Sequence, residues 1–312
     1  MTERSDATNA NARLMTRATQ AAVATAMMLV AVKLVTWLLT GSVAMLSTLV
    51  DSVLDVLASL LNLLAVRHAL LPADLEHRFG HGKAEALSGL GQAAFIAGSA
   101  VFLLFAAGQR AFAPVALENS RLGIGVMVFS MIVTLLLVRF QRAVIRRTGS
   151  VAISADSLHY VSDVLVNVGV ILAFVLVDRL GWTMADPALG GLIAVYILYS
   201  AWRIARGSFN ILMDRELDDA ERARIHDIAM AHPDVLDLHD LRTRSAGQQL
   251  FIQLHLEMDP SLTLLRAHEI ADAVEAEIHA AFPGAEVLIH EDPAGIDEER
   301  ASFTGRTGDV RS

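Results

Sequence analysis

The sequence predicts an α-helical membrane protein with six transmembrane helices, followed by a C-terminal α+β cytoplasmic domain in the order αββαβ. Three observations predict it. Of 312 residues, 54% are hydrophobic and 19% charged, with a mean hydropathy of +0.47, against about 45–50% apolar and about 25% charged in soluble domains. Six apolar segments are each long enough to cross a bilayer, which takes roughly 20 residues. Charge divides the chain: residues 1–214 carry 16 Lys and Arg against 13 Asp and Glu, whereas 215–312 carry 9 against 21.

The apolar segments are 20–40, 43–66, 85–109, 122–140, 151–177 and 187–211. Residues 1–19 precede them as a polar cytoplasmic segment with no signal-peptide pattern, so the first span is expected to be kept. Gly41 joins the first two helices so tightly that they must be antiparallel. Leu71-Pro72 and Gly80-His81-Gly82 bound a polar turn, Ala113-Pro114 ends the third segment, and Gly149-Ser150 separates the fourth from the fifth. Gly181 and Asp186-Pro187 precede the sixth. Residues 20–214 therefore form the membrane domain. Basic residues flanking the spans (Arg13, Arg67, Arg78, Arg142, Arg146, Arg203) crowd one side, against Arg110, Arg121 and Arg179 on the other. By the positive-inside rule the crowded side, with both termini, is cytoplasmic.

Residues 215–293 change to a soluble pattern: a helix over 216–231, strands near Val235–Arg244 and Leu250–Met258 around Gly247, a helix over 263–281, and a strand Glu286–His290 after Pro283-Gly284. That order makes a small sheet covered on one face by two helices. Residues 294–312 are polar, without apolar period, and read as a disordered tail.

Composition also excludes chemistries. With no cysteine there are no disulfides, thiolate zinc sites, iron–sulfur clusters or cysteine nucleophiles. A net charge of −9 offers nothing to neutralise phosphates, so no nucleic-acid partner is expected. Any metal must be held by nitrogen and oxygen, which directs attention to the eleven His.

An ionisable group inside a span costs roughly 2.5–3.5 kcal/mol on insertion scales and needs a reason. The second span carries Asp51 and Asp55, and the fifth carries His159 and Asp163. Both pairs have i, i+4 spacing, which puts each on one helical face about 6 Å apart along the axis. Each pair lies about eight residues, or about 12 Å, from its helix start. Three carboxylates and an imidazole meeting at that depth suit Zn²⁺, with Cd²⁺, Fe²⁺ and Mn²⁺ as alternatives. Three carboxylates together do not all stay ionised in a low dielectric, so an empty site takes up protons and a metal releases them. Lys33 in the first span reads as snorkelling or ion-paired, and Asp156 as lying at the cytoplasmic mouth.

Asp74, His77 and His81, with Glu76 and His68 nearby, form a second group in the polar turn, readable either as a metal site or as ordinary solvated loop. A third is His239, His255, His268, His290 and Asp292, drawn from both long strands, the second soluble helix and the last strand; these residues can hold two metals with Asp292 bridging. His226, His232 and His279 read as surface residues. His268-Glu269-Ile-Ala-Asp272 lacks the second imidazole of a zincin helix, which argues against a metallohydrolase.

These motifs resemble one family nearly end to end, the cation diffusion facilitators, and within it the bacterial zinc transporters. The resemblance rests on Leu49-Val-Asp51-Ser-Val-Leu-Asp55, Asp74-Leu-Glu-His77-Arg-Phe-Gly-His81-Gly-Lys83-Ala-Glu85, Ala155-Asp-Ser-Leu-His159-Tyr-Val-Ser-Asp163, His239-Asp-Leu-Arg-Thr-Arg244, Phe251-Ile-Gln-Leu-His255-Leu-Glu-Met258 and Ile289-His290-Glu-Asp292-Pro293. It implies a homodimeric efflux antiporter of the bacterial inner membrane, exchanging Zn²⁺ for protons by alternating access, with a ferredoxin-like cytoplasmic domain. Asp51, Asp55, His159 and Asp163 would be the transport site, and Asp74, His77 and His81 a loop site. His239, His255, His268, His290 and Asp292 would be a binuclear site stabilising the dimer. Lys83 and Asp214 match an ion pair near the family's dimer hinge. Glu291 departs from the pattern, standing where relatives have a neutral side chain. The competing reading is a membrane-anchored metal sensor or adaptor; mid-span charges argue against it, because a plain anchor does not need them.

Overall fold

A computed structural model describes residues 2–40, 43–112, 121–182 and 184–296. The turn expected at Gly41, the Ala113-Pro114 break and the tail from residue 297 lie outside the described residues. The chain divides into two compact units, one of Asn9–Leu212 and one of Met213–Ser312 together with Met1–Thr8.

The first unit is helical: α1 Thr2–Thr40, α2 Val43–Ala69, α3 Lys83–Phe112, α4 Arg121–Thr148, α5 Val151–Leu180 and α6 Ala185–Leu212. All six contain stretches long and apolar enough to cross a membrane. Two helices run well past the apolar segments that predict them. α1 begins at Thr2 rather than near residue 20, because residues 2–19 are rich in Ala and other strong helix formers and contain neither Gly nor Pro. α4 continues through Gln141 to Thr148 and stops only at Gly149, whose φ of 64° favours glycine. Hydropathy marks where a helix enters lipid, and propensity decides where it ends.

α5 begins immediately afterwards. The Ser150 hydroxyl caps it by accepting the Ile153 amide at 3.2 Å, and the buried Glu85 carboxylate on α3 accepts the Ala152 amide at 3.4 Å. Two glycines allow helices to approach closely. A Cβ on Gly89 of α3 would lie 2.7 Å from Ser208 Oγ on α6, and one on Gly169 of α5 would lie 2.5 Å from Ile193 Cδ1 on α6.

The second unit contains α7 Asp219–Met230, β1 Asp237–Ala246, β2 Gln249–Met258, α8 Leu264–Ala281 and β3 Ala285–Pro293. Asp218 caps α7 and Thr263 caps α8, which is why both helices start later than their apolar pattern suggests. The sheet order is β1-β2-β3, with β1 and β2 antiparallel and β2 and β3 parallel across the α8 connection. Ile252, Leu254, Leu256 and Met258 alternate along β2 and are buried with Ile270, Val274 and Ile278 of α8 and Ile225 of α7. The intervening residues, Gln253, His255 and Glu257, face the opposite side.

Candidate metal centres

In the helical unit, α2 carries Thr48, Asp51, Ser52, Asp55, Ser59 and Asn62 at spacings of three and four, a polar stripe along an otherwise apolar helix. α5 carries Asp156, His159, Tyr160, Asp163 and Asn167 in the same way. Where the stripes meet, His159 Nε2 lies 2.9 Å from Asp55 Oδ1 and 4.0 Å from Asp163 Oδ2. Asp55, His159 and Asp163 each offer a ligand atom within 4.8 Å of the others. Asp51 stands outside that trio but lines the same cavity of about 680 Å³. Three of the four expected ligands are thus assembled, with the fourth one helical turn away.

Groups behind the cavity complete the arrangement. The buried Tyr160 hydroxyl lies 2.8 Å from Ser59 Oγ and donates to the Ala22 carbonyl at 3.3 Å, tying α5 to α2 and α1. Asp156 is not at an open mouth: it is 1% exposed, and Gln141 of α4, itself fully buried, donates to its Oδ2 at 2.6 Å. The reading of Asp156 is corrected because α4 continues past residue 140 and covers it. Gln141 is not among the residues expected at the site, because its neighbours Arg139 and Arg142 make the segment read as a polar span end. Lys33 also lines the cavity, and its ammonium donates to Ser52 Oγ at 2.6 Å and to the Thr48 carbonyl at 3.2 Å. Of the two expected readings, snorkelling toward a helix end does not fit these two inward bonds, and Lys33 shares the cavity with Asp51, Asp55 and Asp163.

The turn between α2 and α3 brings Asp74, His77 and His81 together, again with ligand atoms within 4.8 Å. Asp74 Oδ1 accepts the backbone amides of Glu76 at 2.9 Å and His77 at 2.6 Å, and Gly80, with φ 76°, turns the chain so that His81 Nε2 lies 3.3 Å from Asp74 Oδ2. The His77 amide, more than any other group, holds the Asp74 carboxyl below the usual carboxylate range. The His68 ring stacks edge-on against His81 with centroids 4.6 Å apart.

In the second unit the strand register makes the site. His239, His255 and His290 pair directly across the three strands and form one row on the face away from the helices. Their ring centroids are 5.0 and 4.6 Å apart. Asp292, 5% exposed, has Oδ2 2.8 Å from His255 Nδ1 and 3.3 Å from His239 Nε2, while its Oδ1 lies 2.7 Å from His290 Nδ1. One carboxylate thus faces imidazoles with both oxygens, a donor set of nitrogen and oxygen suited to zinc. A bulge after His239, with Asp240 at φ 49°, shifts the rest of β1 and lets this row form.

His268 does not join that row. It is 63% exposed on α8, 3.6 Å from Asp272 and 3.9 Å from Glu291. Glu291 alternates with His290 and Asp292 and pairs with Leu256, so it turns to the face on which α8, the helix that carries His268, is packed. His226, His232 and His279 pair locally with Asp227, the Asp234 amide and Glu275, and all three are partly buried. Lys83 Nζ donates to the Leu212 carbonyl at 3.5 Å, and Asp214, at φ 53°, pairs with Arg244 at 3.5 Å.

Burial works against ionisation of Asp292, but the hydrogen bond from His255 and the nearby His290 outweigh it and hold the carboxyl below its ordinary range. A depressed carboxyl contributes stability that is complete above its unfolded value and is lost as pH falls through the folded one. Metal-free protein is therefore expected to lose stability in its second unit only as pH drops below the ordinary carboxylate range. Denaturation midpoints measured against pH check this, and Asp292→Asn should flatten that acid limb.

Comparison with known proteins follows the same division. The cation efflux transmembrane domain matches residues 19–213, and the cytoplasmic domain of cation efflux proteins matches 217–294. The cation-efflux pump FieF of Shewanella oneidensis is 49% identical over 280 residues, covering 90% of this chain and 94% of that protein. The pump of the same name from Salmonella agona is 49% identical over 284 residues, covering 91% and 94%. A solved zinc form of CzrB is 32% identical, covering 28% of this chain and 99% of its own, at a TM-score of 0.26.

Proposed function

This chain belongs to the cation diffusion facilitator, or cation efflux, family, and on that premise we propose that it exports Zn²⁺ in exchange for protons, by alternating access, as a homodimer in the bacterial inner membrane. It is a membrane cation-efflux transporter and not an enzyme. The observation that carries the finer reading is the convergence of Asp55, His159 and Asp163 within 4.8 Å inside helices apolar enough to span a bilayer, with Asp51 lining the same cavity. Nitrogen and oxygen donors with no sulfur suit zinc, and they also admit Cd²⁺, Fe²⁺ and Mn²⁺. Metal ligands must be deprotonated, so cation entry expels protons, and protons arriving from the other side expel the cation.

The remaining sites take supporting roles in this reading. Asp74, His77 and His81 hold a loop metal near the membrane unit. His239, His255, His290 and Asp292 hold metal in the cytoplasmic domain, with His268 in the same site only if a second copy of the chain supplies it. Lys83 and Asp214 form the hinge pair of the dimer, and both termini are cytoplasmic. Reconstituted vesicles test the central claim. Under an imposed pH gradient, inverted vesicles should accumulate zinc, and zinc addition should move protons the opposite way. Zinc uptake indifferent to the gradient would reject exchange.

A further inference from the structure

An ammonium in a transmembrane helix is as expensive as a carboxylate there, and a lysine with a long stem normally escapes toward the membrane surface. Lys33 turns inward. Its Nζ is 2.6 Å from Ser52 Oγ and 3.2 Å from the Thr48 carbonyl, and it lines the cavity that holds Asp51, Asp55, His159 and Asp163. Ser52 is adjacent to Asp51 and three residues before Asp55, so α2 holds the ammonium within about one helical turn of both carboxylates. Ser52 is fully buried, and both bonds go to neutral oxygens of α2, which hold the ammonium beside the acidic cluster without tying it to any one carboxylate.

We infer that Lys33 is a built-in counter-charge that weakens the hold of the membrane site on a divalent cation, so that the bound ion can leave. This rests on the transport reading above. Three carboxylates and a divalent cation leave one negative charge in the cavity, and the lysine cancels it. The loaded site is then neutral overall, which lowers the cost of carrying it through a low-dielectric conformational change. The same ammonium repels the arriving dication, and at a separation of a few ångströms in a medium of reduced dielectric that repulsion changes a binding constant by at least about tenfold. Asp51, Asp55, Asp163, His159 and Tyr160 are the charged or titratable groups sharing the cavity with it.

The test is zinc titration of the purified full-length protein at neutral pH, against a competing chelator. The binding component missing from Asp163→Ala identifies the membrane site. Lys33→Met should tighten that component by at least about tenfold, Lys33→Gln should do the same while keeping a donor for Ser52 and the Thr48 carbonyl, and Lys33→Arg should return it toward wild type. In vesicles Lys33→Met should lower KM and kcat together, as release slows. No tightening in the neutral variants, or equal shifts in the Met and Arg variants, overturns the inference. If Asp163→Ala removes no component, the membrane site itself falls, and the role of Lys33 falls with it.

Discussion

Vesicles carrying Asp163→Ala are expected to lose gradient-driven zinc accumulation by more than about a hundredfold, beyond the 10–100-fold typical of losing a residue that merely supports a ligand. Asp163 contributes one of three ligand atoms that already stand within 4.8 Å of each other. His159 Nε2 lies between the carboxylates, 2.9 Å from Asp55 and 4.0 Å from Asp163. Removing Asp163 leaves one carboxylate at contact distance and Asp51 a turn away, too few donors to close a tetrahedral set. A ligand must be deprotonated to bind metal, so with one ligand gone proton release on zinc addition should fall with transport. Gel filtration and protease resistance should stay as in wild type, because Asp163 sits on a cavity wall rather than in the packing between helices. Undiminished flux would sink the transport-site assignment.

Asp292→Ala should have the second largest effect, in the other unit. Both of its oxygens face imidazoles, Oδ2 toward His239 and His255 and Oδ1 toward His290. No single histidine substitution dismantles both sides of the site, whereas this one does. Ligands that bind the native state stabilise it by mass action, about 2.7 kcal/mol at a free concentration one hundred times Kd. Wild-type protein should therefore show a rise in the denaturation midpoint of its second unit on zinc addition, and Asp292→Ala should show almost none. A full zinc-dependent rise in that variant would remove Asp292 from the site.

Much of this was legible in the residues alone. Six spans follow from hydropathy and length, and the paired spacings of Asp51 with Asp55 and His159 with Asp163 follow from helical periodicity. Both are local properties of a chain that must satisfy its backbone hydrogen bonds inside each segment. The αββαβ order was equally readable, because strand and helix periods differ.

Contacts between elements were not legible, since they depend on how far each helix extends and how the elements pair. The covering of Asp156 by Gln141 required α4 to run on to Thr148. The inward turn of Lys33 required the stripe of Ser52 and Thr48 on α2 to face α1. Separation of His268 from Asp292 came from the packing of α8 on the Ile252–Leu254–Leu256 face of the sheet, while strand alternation keeps His255, His290 and Asp292 on the other. By itself the sequence determined which residues could bear charge in the membrane and in the sheet. Only the tertiary structure decided which of them meet, because periodicity sets a side chain's direction on its own element, and packing sets what lies opposite it.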